Sequence, residues 1–166
     1  MNSRKVSAFF LLTFGVLTSL FAQGMNNENL GKILYTVSDS ISGGAGQWYF
    51  TAGGREMLCI TDENANRMRI ISPVAMEEDL EPDQLKACME ANFHSALDVR
   101  YALSEGTVWV AYIHPLQELT KQQAIDAITQ VFNAAETFGS TYNSTHLVFP
   151  KTEKEREEEP LPTKKS

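Results

Sequence analysis

The chain is poor in the groups that most enzyme chemistry uses. It has two cysteines, Cys59 and Cys88, and three histidines, His94, His114 and His146. No Cys-x-x-Cys or His-Glu-x-x-His occurs, so the common zinc-ligand spacings are missing. There is no Gly-x-Ser-x-Gly turn to present a nucleophilic serine. Ser95 adjoins His94, but successive helical residues do not face each other, so the two make no dyad. Asp62-x-Asn64-x-Asn66 begins like a calcium loop and then fails: Arg67 stands where a glycine is needed, and Pro73 where the bidentate acid belongs. The glycine-rich stretch Gly43-Gly44-Ala45-Gly46 lacks a following Gly-Lys-Ser/Thr, which excludes a phosphate-binding loop. No cofactor, metal or catalytic residue is expected, and the chain is read as a non-enzyme.

Basic residues are also scarce, 14 against 21 acids. Nucleic acid is a poor partner for such a surface, because phosphate contacts need concentrated Lys and Arg. The longest apolar run, Val6 to Phe21, is 16 residues, short of the roughly 20 that span a bilayer. Preceded by Arg4 and Lys5 and followed by Ala22, it has the layout of a secretory signal peptide cut after Ala22. Residues 1–22 are therefore expected to be removed, leaving no stable membrane span. The protein is expected outside the cytoplasm of a bacterium, in the periplasm or the medium. An uncleaved anchor is the alternative.

What remains has the size of one domain, placed at residues 25–150. Without Arg4 and Lys5 it carries 12 basic and 21 acidic groups, a balance of −9. From Lys151 to Ser166 there are five of each sign. That segment, 151–166, has almost nothing to bury and reads as a disordered charged tail. The acidic excess thus belongs to the domain.

Within the domain, Asn29 is a plausible helix cap, and Leu30, Ile33, Leu34, Val37 and Ile41 follow at helical spacing. The glycines at 43–46 are expected to stop that helix. Gln47–Thr51, Glu56–Asp62 and Arg67–Ser72 read as strands joined by short turns, with Leu58 and Ile60 on one side and Met57, Cys59 and Thr61 on the other. Pro73–Leu80 reads as an acidic connector. Glu81-Pro82-Asp83-Gln84 opens a second helix, whose stripe is Leu85, Cys88, Met89, Phe93, Ala96 and Leu97. Strands at Asp98–Leu103 and Thr107–Ile113 follow, hinged at Ser104-Glu105-Gly106. Thr120-Lys-Gln-Gln123 resembles a capping box before a last helix bearing Ala124, Ile125, Ile128, Phe132 and Ala135. Leu147-Val148-Phe149 is a candidate edge strand. This order, α-β-β-β-α-β-β-α, predicts an α+β fold with an antiparallel sheet of about five strands and helices packed on it.

One local pattern is more specific. Ala91-Asn92-Phe93 closes the middle helix, Leu97-Asp-Val-Arg-Tyr-Ala-Leu103 follows, and Gly106, Trp109 and Leu116 precede the last helix. With the element order, over Asn29 to Phe138, this resembles the secretion-chaperone-like superfamily: class I type III secretion chaperones and the YbjN-like domains. The resemblance implies a non-enzymatic binding module, and for the chaperones a dimer that holds extended segments of client proteins. Two features depart from it: those chaperones are cytosolic and lack an export signal, and the charged tail has no counterpart.

The candidate functional residues are therefore surface groups. Trp48, Phe93, Tyr101, Trp109 and Tyr112 either pack the core or, where they face outward, form a protein-binding surface for a client or a second copy. In the strand 107–113, Trp109, Ala111 and Ile113 share one side while Val108, Val110 and Tyr112 share the other. Both sides of the sheet are apolar there, which predicts a cover on each. Cys59 and Cys88 are either buried thiols or a disulfide pinning helix to sheet. Two other classes of function stay open. One is a hydrolase-type enzyme assembled from scattered groups such as His94, His114 and Arg100; the other is a structural component of the envelope.

Overall fold

In the computed structural model, residues 24–147 are described. The signal segment 1–22, the tail 151–166 and most of the strand expected at Leu147-Val148-Phe149 lie outside them. The elements are α1 (Asn27–Val37), β1 (Ser40–Gly44), β2 (Gln47–Ala52), β3 (Arg55–Asp62), β4 (Arg67–Met76), α2 (Gln84–His94), β5 (Val99–Ser104), β6 (Thr107–His114) and α3 (Lys121–Glu136). A single 3-10 turn, Glu77–Asp79, leads from β4 towards α2.

The six strands form one antiparallel sheet in the order β1-β2-β3-β4-β6-β5. Two-residue turns close three of its hairpins, at Ala45-Gly46, Gly53-Gly54 and Glu105-Gly106, with positive φ at both positions of each. That is the turn type whose twist matches paired strands, and glycine at the second position adopts it without strain. The connection through α2 carries the chain past β4, so β6 fills the slot between β4 and β5.

Among the described residues the sheet has six strands rather than five because the first helix ends early. Asn26, not Asn29, is its cap: the Asn26 side chain accepts from the Asn29 amide at 2.9 Å. The helix stops at Val37, and Ile41 lies in β1, opposite Phe50. The glycines at 43–46 thus turn a hairpin instead of ending a helix. β4 likewise runs on to Met76, past the expected stop at Pro73, through a register shift between Pro73 and Ala75. An irregularity tolerates proline because no ladder amide is required there.

Helices α1 and α3 cover one side of the sheet, here the inner face. Trp48, Phe50, Met57, Cys59, Met68, Ile70, Val99, Tyr101, Val110 and Tyr112 are buried on it in one cluster with Leu30, Leu34, Ala124, Ala127, Val131 and Ala134. The small alanine face of α3 lets the helix sit close to β4 and β6. The capping box is present: Gln123 N donates to Thr120 Oγ1 at 3.2 Å, and Thr120 N to Gln123 Oε1 at 2.9 Å. Helix α2 instead lies along β5. Asn92 replaces a missing strand at that edge, its Oδ1 accepting from Tyr101 N at 2.7 Å and its Nδ2 donating to Tyr101 O at 3.1 Å. An edge closed by a side chain offers less backbone to another chain.

Candidate functional site

Strand alternation decides which aromatic residues are available. Trp48, Tyr101 and Tyr112 point inward and are buried. Trp48 packs against α1, where the backbone at Gly31 approaches the indole. Tyr101 donates its hydroxyl to Ala134 O at 2.7 Å and stacks edge-on against Tyr142, with centroids 5.6 Å apart. Burial pushes its phenol well above the usual range. These three are core residues and leave the candidate surface. Phe93 and Trp109 stay on it, at two separate places.

Trp109 belongs to the outer face of the sheet. Along it lie Tyr49 of β2, Leu58 and Ile60 of β3, Ile71 and Pro73 of β4, Trp109, Ala111 and Ile113 of β6, and Ala102 of β5. The register aligns them in rows: Tyr49, Leu58, Ile71 and Ala111 form one, and Pro73, Trp109 and Ala102 another. None of these residues is buried, and Ile113 is 64% exposed. The cover expected for this side is absent among the described residues. The face is graded rather than uniformly apolar. Towards β1 it turns polar, with Ser40 bonded to Thr51 and Gln47 donating to the Tyr49 hydroxyl at 2.6 Å. Over β3, β4 and β6 it is aliphatic and aromatic.

Phe93 belongs to a second surface. The stripe expected on the middle helix is split by the structure: Cys88 and Ala91 turn inward, while Leu85, Met89 and Phe93, four residues apart, form an exposed ridge. Phe93 is 77% exposed, and among the described residues only the ring of its neighbour His94 stacks edge-on against it, 4.9 Å away. Alternation cannot flag such a ridge, because a periodic stripe looks the same whether or not anything covers it.

The histidines and arginine singled out for an enzymatic site do not converge on a cleft. His94 ends α2, His114 ends β6 with its ring stacked on Tyr112, and Arg100 stands on the outer face of β5. A cleft of about 560 Å³ lies between α1 and the segment Gln117–Lys121 and contains none of them. Among the described residues, no cluster of three His, Cys, Asp or Glu is placed to hold a metal ion. No described helix is long and apolar enough to cross a membrane.

Cys59 on β3 and Cys88 on α2 are both free thiols, and both are buried. Burial pushes Cys59 up to about 12 and Cys88 up to about 11, which removes the thiolate that reacts with electrophiles. Both should therefore be slow towards a chromogenic disulfide reagent at pH 8 in the native protein, and both should react within minutes in denaturant. Rapid labelling of either native thiol would contradict this burial.

No protein-family profile matches the chain, and no curated protein matches it. Solved structures do. A chain of the HopA1–SchA chaperone–effector complex superimposes with a TM-score of 0.52 at 10% identity, covering 66% of this chain and 88% of that one. A chain of the complex between the Yersinia pestis type III secretion chaperone SycH and a stable fragment of YscM2 gives 0.53 at 12% identity, covering 68% and 98%. This chain shares the fold of the type III secretion chaperones. At such identities the likeness concerns the arrangement of helices and strands.

Proposed function

We propose that the protein is a non-enzymatic, chaperone-like binding module that holds a segment of another protein on the outer face of its sheet. The observation that carries this is the uncovered row of Leu58, Ile71 and Ala111 beside Trp109 and Ile113. A soluble domain rarely exposes so continuous an apolar patch unless something binds it. The solved structures of similar fold come from a chaperone–effector complex and from a chaperone in complex with a protein fragment, which supports the same reading. A peptide-display selection on the full chain tests it: the selected peptides should lose binding to Trp109→Ala. If no selected peptide depends on Trp109, this reading fails.

The ridge of Leu85, Met89 and Phe93 is proposed as a self-association surface, separate from the client face. A Met89→Glu, Phe93→Glu variant changes only exposed residues, so the fold should survive. Light scattering should show a dimer for the unmodified protein and a monomer for the variant. A monomer in both, at tens of micromolar, would remove self-association from the account.

The site of action is proposed to lie outside the bacterial cytoplasm. The support is the basic start, apolar run and Ala22 at the N-terminus. Fractionation of cells making the full chain, followed by mass measurement of the mature N-terminus, tests this.

A further inference from the structure

Although the protein is acidic overall, half of its outer face is basic. On the β4–β6–β5 half the outward charged residues are Arg67, Arg69 and Arg100, with no acid among them. The outward acids, Glu56 and Asp62, both belong to β3; Asp62 stands opposite Arg67 in register and Glu118 also lies near Arg67, which leaves Arg69 and Arg100 as the arginines of this face with no acid opposite them. Arg69 stands between Ile60 and Ile113 in register, in the middle of the apolar patch. Arg100 flanks Ala111 and uses one guanidinium nitrogen to donate to the Leu97 and Val99 carbonyls. Among the described residues none of the three arginines is in an ion pair. An aliphatic face that carries Arg69 and Arg100 without acids opposite them discriminates by charge as well as by apolar contact.

Resting on the reading of this face as a protein-binding surface, we infer that its occupant is an extended segment in which Asp or Glu is interspersed with apolar residues. Arg67 and Arg69 are two residues apart on one strand, about 7 Å, and Arg100 lies about 10 Å to the side across β6. An extended chain presents same-side groups at about that 7 Å spacing. An acid would meet Arg69, the next same-side positions would meet Ile71 and then Pro73 beside Trp109, and a further acid would reach Arg100 across Ala111. Basic segments would be repelled, and purely apolar ones would leave the guanidinium groups without partners.

The test is a selection from a random twelve-residue display library on the full chain, with the selected peptides then titrated as synthetic fluorescent peptides. Acid-bearing apolar sequences should be enriched. Their affinity should fall about tenfold or more on Arg69→Glu with Arg100→Glu and fall as salt rises. The charge-preserving pair Arg69→Lys and Arg100→Lys should retain most of it. Circular dichroism of each variant checks the fold, which exposed arginines should not disturb. Peptides that depend on Trp109 but lack acids, or that ignore the charge reversal, would overturn this inference and leave the protein-binding reading standing. Absence of any Trp109-dependent peptide would overturn both. A dimer dispersed by the charge reversal would also overturn the inference, by showing that a second copy occupies the face.

Discussion

Replacing Ile70 by alanine should lower the unfolding free energy by about 3–4 kcal/mol, whereas Ile71→Ala, one residue further along β4, should cost about 1 kcal/mol or less. The two side chains are chemically identical and point to opposite sides of one strand. Ile70 has no exposed surface and lies in register with Cys59 and Tyr112 in the cluster packed by α1 and α3. Its truncation leaves a cavity in close-packed surroundings, which adds to the lost transfer free energy. Ile71 lies between Leu58 and Ala111 on the open face and is only half-buried. Its loss removes some cross-strand contact and strand preference but opens no enclosed void. Urea denaturation of the two variants measures the difference directly. A cost at Ile71 approaching that at Ile70 would mean that the outer face is covered in the isolated protein.

The largest expected effect on binding is at Trp109. Its replacement by alanine should weaken a bound segment at least tenfold, equivalent to about 1.4 kcal/mol or more. The indole lies on the outer face in register between Pro73 and Ala102 and is partly exposed. A large ring, partly exposed and surrounded by apolar groups, is the kind of residue that carries a disproportionate share of interface energy. Trp109→Phe should retain part of the affinity, and Ser42→Ala, on the polar end of the same face, should leave it unchanged. Titration of a selected peptide against the three variants separates these outcomes. Equal affinities throughout would move the binding surface elsewhere.

The inner half of the fold is legible in the sequence because it obeys alternation. Met57, Cys59, Val108, Val110 and Tyr112 face inward as strand period predicts, and Thr120 and Gln123 announce α3 three residues apart. The first strand is not legible. Ser40–Gly44 holds one large apolar residue, Ile41, which also falls four residues after Val37 and so extends the helical stripe by coincidence. Its strand conformation comes from pairing with β2, a tertiary contact that no local preference reports. The continuation of β4 beyond Pro73 was hidden for a related reason, since proline ordinarily ends a strand and here occupies the irregularity.

The surfaces were half legible. Two apolar sides on the strand Thr107–Ile113 pointed to an outer patch, but the same observation predicted a cover that the described residues do not supply. Trp48, Tyr101 and Tyr112 could not be separated from Trp109 and Phe93 by residue type. Only the register, together with the side on which α1 and α3 pack, sorts them. The arginine cluster was legible only in part, because alternation puts Arg67 and Arg69 on one side of their strand, whereas Arg100 comes from another strand that pairing brings near.

The central claim is that the outer face is bare in the isolated protein and covered when a client segment binds. Trp48 and Trp109 are the only tryptophans, one buried and one on that face. Acrylamide quenching of the full chain and of Trp109→Phe isolates the Trp109 emission by difference. The account predicts an emission readily quenched in the free protein, and blue-shifted and protected once a selected peptide is added. An indole already shielded in the free protein, or one still fully quenched with the peptide bound, would contradict it.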